Sequence, residues 1–175
     1  APDNLYDVPV EMRVRYEFPA RGELPPVVLY WYHGKMPSGT PVDGELSKWR
    51  SGALYVGQKG MLLADLFKWK LLPESQFPGL RPPKTPYPKA SGFSWEPDSS
   101  RHYQEWIAAC KTGSPTACHF GYAGPLTEAV LLGNVAYRVG EKLSWDAKSL
   151  RAVNCPKADR LLRREYRPGW SLGLP

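Results

Sequence analysis

The chain has 175 residues, with 23 Lys and Arg against 17 Asp and Glu, so its formal net charge is +6. Residues 1–175 read as a single domain, and a 42% hydrophobic share is enough for a core, which excludes whole-chain disorder. Proline, at 19 residues, runs at about twice the usual ~5%, which excludes an all-helical bundle and calls for many irregular connections.

Val8 to Phe18 carries the clearest strand signal. Val8, Val10, Met12, Val14, Tyr16 and Phe18 alternate with Glu11, Arg13, Arg15 and Glu17. Period two means one buried face and one charged, solvated face. The stretch Pro19 to Pro25 is a polar turn, and Val27 to Tyr32 is a second strand, apolar or aromatic on both faces. The two strands read as an antiparallel hairpin. Gly34 to Gly52 is loop-like. Ala53 to Gly57 and Met61 to Asp65 read as strands around the turn Gly57–Gly60, and Lys68 to Leu72 as a fifth. Together they predict an open, mostly antiparallel sheet.

Residues 73–100 hold Pro73, Pro78, Pro82, Pro83, Pro86, Pro88 and Pro97. Prolines at this density preclude regular structure, so the segment reads as a long Pro-rich arm. Phe77, Tyr87, Phe93 and Trp95 favour an arm packed on its own domain or on a partner. Beyond it, Tyr103, Trp106, Ile107 and Cys110 fall at i, i+3, i+4 and i+7 after a capping Ser99 or Ser100, and Gly113 ends this helix. Gly124-Pro125 opens a second helix, with Glu128 in its first turn. Apolar residues nearly all round, from Leu126 to Val139, predict that it is largely buried, and Arg138 and Gly140 close it. Lys142 to Trp145 is a short strand. Asn154 caps a third helix that starts at Pro156. Strands first and helices afterwards predict an α+β fold with helices packed on one face of the sheet.

Chemical motifs are sparse. No apolar run reaches the roughly 18–20 residues of a membrane span. Ala1 to Asp7 lack the charged and apolar regions of a secretory signal. Cys110, Cys118 and Cys155 give no metal or disulfide spacing and read as buried or half-buried free thiols. His33, His102 and His119 are far apart, so no metal site is expected. Cys118 and His119 are neighbours, but adjacent side chains seldom meet, which argues against a nucleophile pair. Arg160, Arg163, Arg164 and Arg167 form the densest basic zone. They read as the solvated face of a helix rather than a nucleic-acid site. Trp31, Trp106 and Trp145 lie on periodic segments and read as core.

Five segments taken in order, Pro25–Pro37, Gly52–Gly60, His102–Lys111, Phe120–Ala136 and Arg164–Trp170, resemble the C-terminal part of Gfo/Idh/MocA-type oxidoreductases. The likeness is to a bacterial branch whose members often carry a twin-arginine export signal. The resemblance implies a parent enzyme with a Rossmann domain that binds NAD or NADP. A second, open-faced sheet domain shapes a sugar or cyclitol pocket and pairs subunits through the sheet. The parent would be periplasmic where exported and cytoplasmic otherwise. Its catalytic pieces do not carry over: the glycine fingerprint is missing, and Glu141-Lys142 is followed by Leu143 where the family has proline. The chain is therefore expected to hold no catalytic or cofactor-binding residue. Hydride transfer needs a nicotinamide on a phosphate-binding turn and an acid–base group at the reacting carbon.

His119, Tyr122 and Thr127 are the expected contacts to a sugar-like substrate, beside the start of the apolar helix. In the bland alternative Tyr122 packs and Thr127 caps. The function expected is substrate binding and oligomerisation within a sugar or cyclitol oxidoreductase. An NAD-dependent glycosidase of the same superfamily and a stand-alone carbohydrate-binding or interaction module are the alternatives. Helices can cover only one side of the sheet, so the other side of Val27 to Tyr32 is expected to pair with a second copy. Neither a membrane nor a nucleic acid is an expected partner.

Overall fold

The computed structural model of the protein describes residues 9–35, 38–40, 42–46, 48–49, 51–65, 68–81, 100–163 and 165–170. In chain order the strands and α-helices are β1 (Met12–Phe18), β2 (Val27–His33), α1 (Asp43–Leu46), β3 (Ala53–Gly57), β4 (Gly60–Ala64), β5 (Trp69–Leu72), α2 (Ser100–Thr112), α3 (Phe120–Val139), β6 (Trp145–Asp146), β7 (Arg151–Ala152) and α4 (Asp159–Leu162). The fold is α+β, and among the described residues every strand pair is antiparallel. Among the described residues the strands form three sheets, β1-β2, β3-β4-β5 and β6-β7. The chain divides into two compact units, Ala1–Met36 with Cys118–Pro175, and Pro37–Ala117.

In the first unit β1 and β2 pair from Met12↔His33 to Phe18↔Val27. This register puts Val14, Tyr16, Phe18, Val27, Leu29 and Trp31 on one face. Arg13, Arg15, Glu17, Val28, Tyr30 and Tyr32 take the other. Helix α3 packs on the first of these faces. Val14 is buried there, and the Tyr16 hydroxyl aims at the Val130 carbonyl, 3.5 Å away. A Cβ on Gly133 would collide with that hydroxyl and lie 3.1 Å from Tyr16 Cζ, so the close approach requires glycine. Burial pushes the Tyr16 phenol above its usual range. Behind α3 a small core joins Val135, Ala152, Cys155 and Ala158, with Val139, Leu143, Trp145, Leu161 and Leu162 against it. Glu17 accepts from Lys142 Nζ at 2.6 Å, tying β1 to the chain beyond α3.

The second unit is a three-stranded meander with α1 on it. Val42, Leu46, Trp49, Leu63 and Leu72 form its core. Leu63 is 1% exposed, and full burial of such a side chain contributes roughly 1.5–3 kcal/mol. Gly57 and Gly60 face each other across the β3–β4 turn, as the sequence predicts. The Lys68 ammonium sits 4.2 Å above the Trp49 ring. Lys70 Nζ bridges Glu45 at 3.1 Å and Glu74 at 3.2 Å. Hydrogen bonds from Lys48 and then Lys70 hold the Glu45 carboxyl below its usual range. Phe77, the first aromatic of the Pro-rich stretch, packs over Gly60, where a Cβ would lie 2.6 Å from Phe77 Cζ. Residues 82–99, most of the expected arm, lie outside the described residues, as do Val8 and the expected cap at Ser99.

Several expectations need correction. Gly34 to Gly52 is not merely a loop, because it contains α1 and supplies Val42, Leu46 and Trp49 to a core. One helical turn is too short to show a period. Helix α3 starts at Phe120, with Pro125 inside it rather than at its first position. Its only buried residues are Gly133 and Val135, while Leu126, Val130 and Leu131 are each about half exposed. On α2 the helical period is as expected, but Tyr103, Trp106 and Ile107 are exposed. Trp31 and Trp106 are not core residues, and Trp145 is half-buried. All three cysteines are free, but only Cys155 is buried. Asn154 does not cap the third helical segment, which opens as a 3-10 turn, Pro156–Ala158, with Cys155 at its cap. The Asn154 side chain instead accepts from the Ser144 N–H at 2.6 Å and donates to the Lys142 carbonyl at 2.7 Å. The helix ends at Leu162, so Arg163 and Arg167 lie beyond it, and the Arg167 guanidinium stacks 4.3 Å over Trp170.

Candidate functional site

The start of α3 holds the three residues expected to meet substrate. His119 is its N-cap, with extended backbone (φ −72°, ψ 157°), and its carbonyl accepts from the Tyr122 and Ala123 N–H groups, each at 2.9 Å. The His119 side chain makes no capping bond. Its ring leans over Gly121, where a Cβ would lie 3.2 Å from Nδ1. Pro125 has no N–H to give the Gly121 carbonyl, so one acceptor of the first turn lacks its helical donor.

Tyr122 is 60% exposed, and His119 and Thr127 are exposed too. Tyr122 therefore does not pack into the interior. Thr127, eighth in the helix, is too far in to cap it. His119 and Tyr122 are three residues apart and share the first turn. Thr127 follows Tyr122 by five residues, about 140° round the helix, so it projects from another side. The fold thus brings His119 and Tyr122 together and sets Thr127 apart. Helix α3 spans 20 residues, and its first turn presents N–H groups and positive potential to solvent. Such an end, beside an imidazole and a phenol, suits neutral hydroxyl groups: the ring nitrogens and Tyr122 Oη can donate or accept, and the phenol ring offers a stacking face.

Glu128 does not belong to this group. It is in the third turn, where its Oε1 accepts from Trp145 Nε1 at 2.6 Å and holds β6 against the helix. Sequence reasoning missed a second cluster at the β6–β7 turn. Asp146 Oδ1 accepts from the Lys148 N–H at 3.0 Å, and Oδ2 from the Ser149 hydroxyl at 2.6 Å. These bonds, the Ser149 one foremost, hold the Asp146 carboxyl below its usual range. Asp-x-x-Ser between two apolar stretches was the available signal. No group of three or more His, Cys, Asp or Glu among the described residues could hold a metal ion, and no described helix is long and apolar enough to cross a membrane.

No protein-family model, curated protein or solved structure matches this chain.

Proposed function

We propose that this chain binds a sugar or cyclitol and mediates self-association within an NAD(P)-dependent oxidoreductase whose dinucleotide is held by other residues of the parent protein. The segment Phe120–Ala136 carries this reading. Its resemblance to the family coincides with an exposed helix start at which His119 and Tyr122 share one turn. Neutral polyols are recognised by neutral donors and acceptors beside an aromatic face, which is what these two residues offer. Apolar surface left on the hairpin, Val28 and Tyr30 among it, supports a role in subunit pairing.

Self-association through that sheet face belongs to the same proposal, and two-fold pairing is the commonest form. The roles divide simply. Tyr122 stacks on the ring of the sugar and His119 hydrogen-bonds a hydroxyl; the nicotinamide that would accept the hydride and the base that would take the hydroxyl proton would be held by other residues of the parent protein. The experiment uses the protein translated from the complete reading frame around these residues, assayed for NAD+ and NADP+ reduction with a panel of polyols. Polyol-dependent reduction is expected. Tyr122→Ala should raise KM about tenfold with a much smaller change in kcat, the pattern of lost binding common to ground and transition states. No reduction with either nucleotide, or an unchanged KM in a folded variant, would overturn the reading.

A further inference from the structure

Strand β2 has the composition of a central strand and the position of an edge. Its residues, Val27–His33, include no Gly, Pro, Lys, Arg, Asp or Glu. Both of its faces are apolar or aromatic, the pattern of a strand covered on every side. Yet among the described residues it pairs with β1 alone. The hydrogen-bond phase of the hairpin identifies the groups left over. Arg21 and Leu24 exchange both backbone bonds, at 3.1 and 2.9 Å. The register carries that phase along the strands, so Glu17↔Val28, Arg15↔Tyr30 and Arg13↔Tyr32 are the bonded pairs. The N–H and C=O groups of Val27, Leu29, Trp31 and His33 therefore point away from β1, and no backbone bond among the described residues meets them. Their side chains lack cover as well. Gly133 sets α3 against Val14 and Tyr16 of β1, while Val27, Leu29 and Trp31 stay about half exposed. Sheet edges are ordinarily guarded by charge, proline or a bulge. Strand β1 has such a guard in Arg13, Arg15 and Glu17, and β2 has none.

From this edge we infer that β2 pairs, antiparallel, with β2 of a second copy of the chain. A row of free backbone donors and acceptors is met by another extended strand. Of the strands β1 to β5, β2 alone joins a length of 7 residues to the absence of Lys, Arg, Asp and Glu, so a second β2 matches it from end to end. A two-fold axis at Tyr30 sets Leu29 opposite Trp31 of the second copy on one face and Val28 opposite Tyr32 on the other. Aliphatic meets aromatic on both faces, and such cross-strand pairs are favourable. Leu29 and Trp31, whose backbone groups point outward, become a bonded pair. The axis stands normal to the sheet, so the contact occupies neither face. It does not rest on the pairing through the outer face proposed above, and it is the smaller contact of the two.

Cysteine cross-linking of the 175-residue chain at high protein concentration tests the inference. Cys110 and Cys118 are replaced by serine, buried Cys155 is kept, and oxidised glutathione is the oxidant. Chains carrying Leu29→Cys are mixed with chains carrying Trp31→Cys. An opposed bonded pair has its Cα atoms ~5.5 Å apart, within the ~4.4–6.8 Å of a disulfide. Each residue lies diagonally from its own counterpart, at ~7–8 Å, beyond that reach. The mixture should give at least ten times more linked dimer than either variant alone. Tyr30→Cys, on the axis, should link to its own counterpart, which sheets stacked ~10 Å apart would not allow. Adding Leu29→Pro to Tyr30→Cys should abolish this link and leave the hairpin folded by circular dichroism, because the N–H removed points away from β1. If the Leu29→Cys or Trp31→Cys chain does not fold, Tyr30→Cys with and without Leu29→Pro carries the test. No link in the mixture, a yield equal to that of the separate variants, or a Tyr30→Cys link that survives Leu29→Pro would each overturn the inference. Unlinked chains that still scatter light as a dimer would count against the edge contact and leave pairing through the face standing.

Discussion

Gly133 sits where α3 meets the ring of Tyr16, and the hydroxyl occupies the space that any Cβ would need. Gly133→Ala therefore sets two effects against each other. Alanine gains about 1 kcal/mol over glycine in a helix interior. Overpacking a tight contact costs typically ~1–3 kcal/mol, since the half-buried Tyr16 side chain must shift to admit the Cβ. The net expectation is a loss of up to about 2 kcal/mol in urea unfolding. Adding Tyr16→Phe removes the colliding oxygen and should recover most of the loss, so the double-mutant cycle should be strongly non-additive. A simple sum of the two single effects would show that Gly133 is not a packing requirement. Little of this contact was legible beforehand. Tyr16 was readable as inward-facing from the alternation of β1, but its partner is far away in sequence, and only three-dimensional packing names it. His119 and Tyr122 lie three residues apart at the start of α3, a nearness that is local in sequence. Thr127 was placed with them by nearness in sequence, and the helix turns it away.

Among the elements, β2 to β5 were legible to within a residue of their ends, while β1 begins at Met12, so the alternation at Val10 and Glu11 does not extend the strand. Helix α3 was legible as a helix but not in its start or its burial. Gly124-Pro125 mimics a helix entrance, yet His119 supplies the extended cap and the helix runs through Pro125 at the loss of one backbone bond. Apolar residues all round reveal that surface wants cover, not what covers it. The C-terminal end of α3 is joined to the turn before α4 by Lys157 Nζ and Glu141 Oε1, 2.6 Å apart. Hydrogen bonding to Lys157 holds the Glu141 carboxyl below its ordinary value, and the same bond holds the Lys157 ammonium above its own. A carboxylate with a depressed pKa stabilises the fold above its unfolded pKa, and that stability is lost as pH falls through the folded value. An ammonium with a raised pKa stabilises below its unfolded pKa, and that is lost as pH rises through the folded value. The difference in thermal midpoint between the wild type and Lys157→Met should thus be largest near neutrality. It should shrink below about pH 4 and above about pH 11, and stay small throughout because both groups are exposed. A difference that does not vary with pH would mean that Lys157 acts through its hydrocarbon stem alone.

For the molecule as a whole, the β1-β2 hairpin poses the largest question. Helix α3 packs on one of its faces, yet Val27, Leu29 and Trp31 on that side remain about half exposed. On the opposite face Val28 and Tyr30 are exposed to a similar degree, and the Arg13 guanidinium lies 5.2 Å from the Tyr30 ring and 5.4 Å from the Tyr32 ring. Arg15 and Glu17 pair with each other on the same face. Apolar and aromatic groups are interleaved there with both signs of charge, so in the proposed two-fold pairing arginine would meet glutamate while tyrosine and valine are buried. Burying this surface is what the proposed role in subunit pairing requires. Multi-angle light scattering of the chain at micromolar concentration tests it most directly. A mass of about 39 kDa, twice the 19.7 kDa of one chain, is expected, and Tyr30→Lys should shift it toward the monomer without loss of fold. A mass of 19.7 kDa at every concentration would contradict self-association through the hairpin.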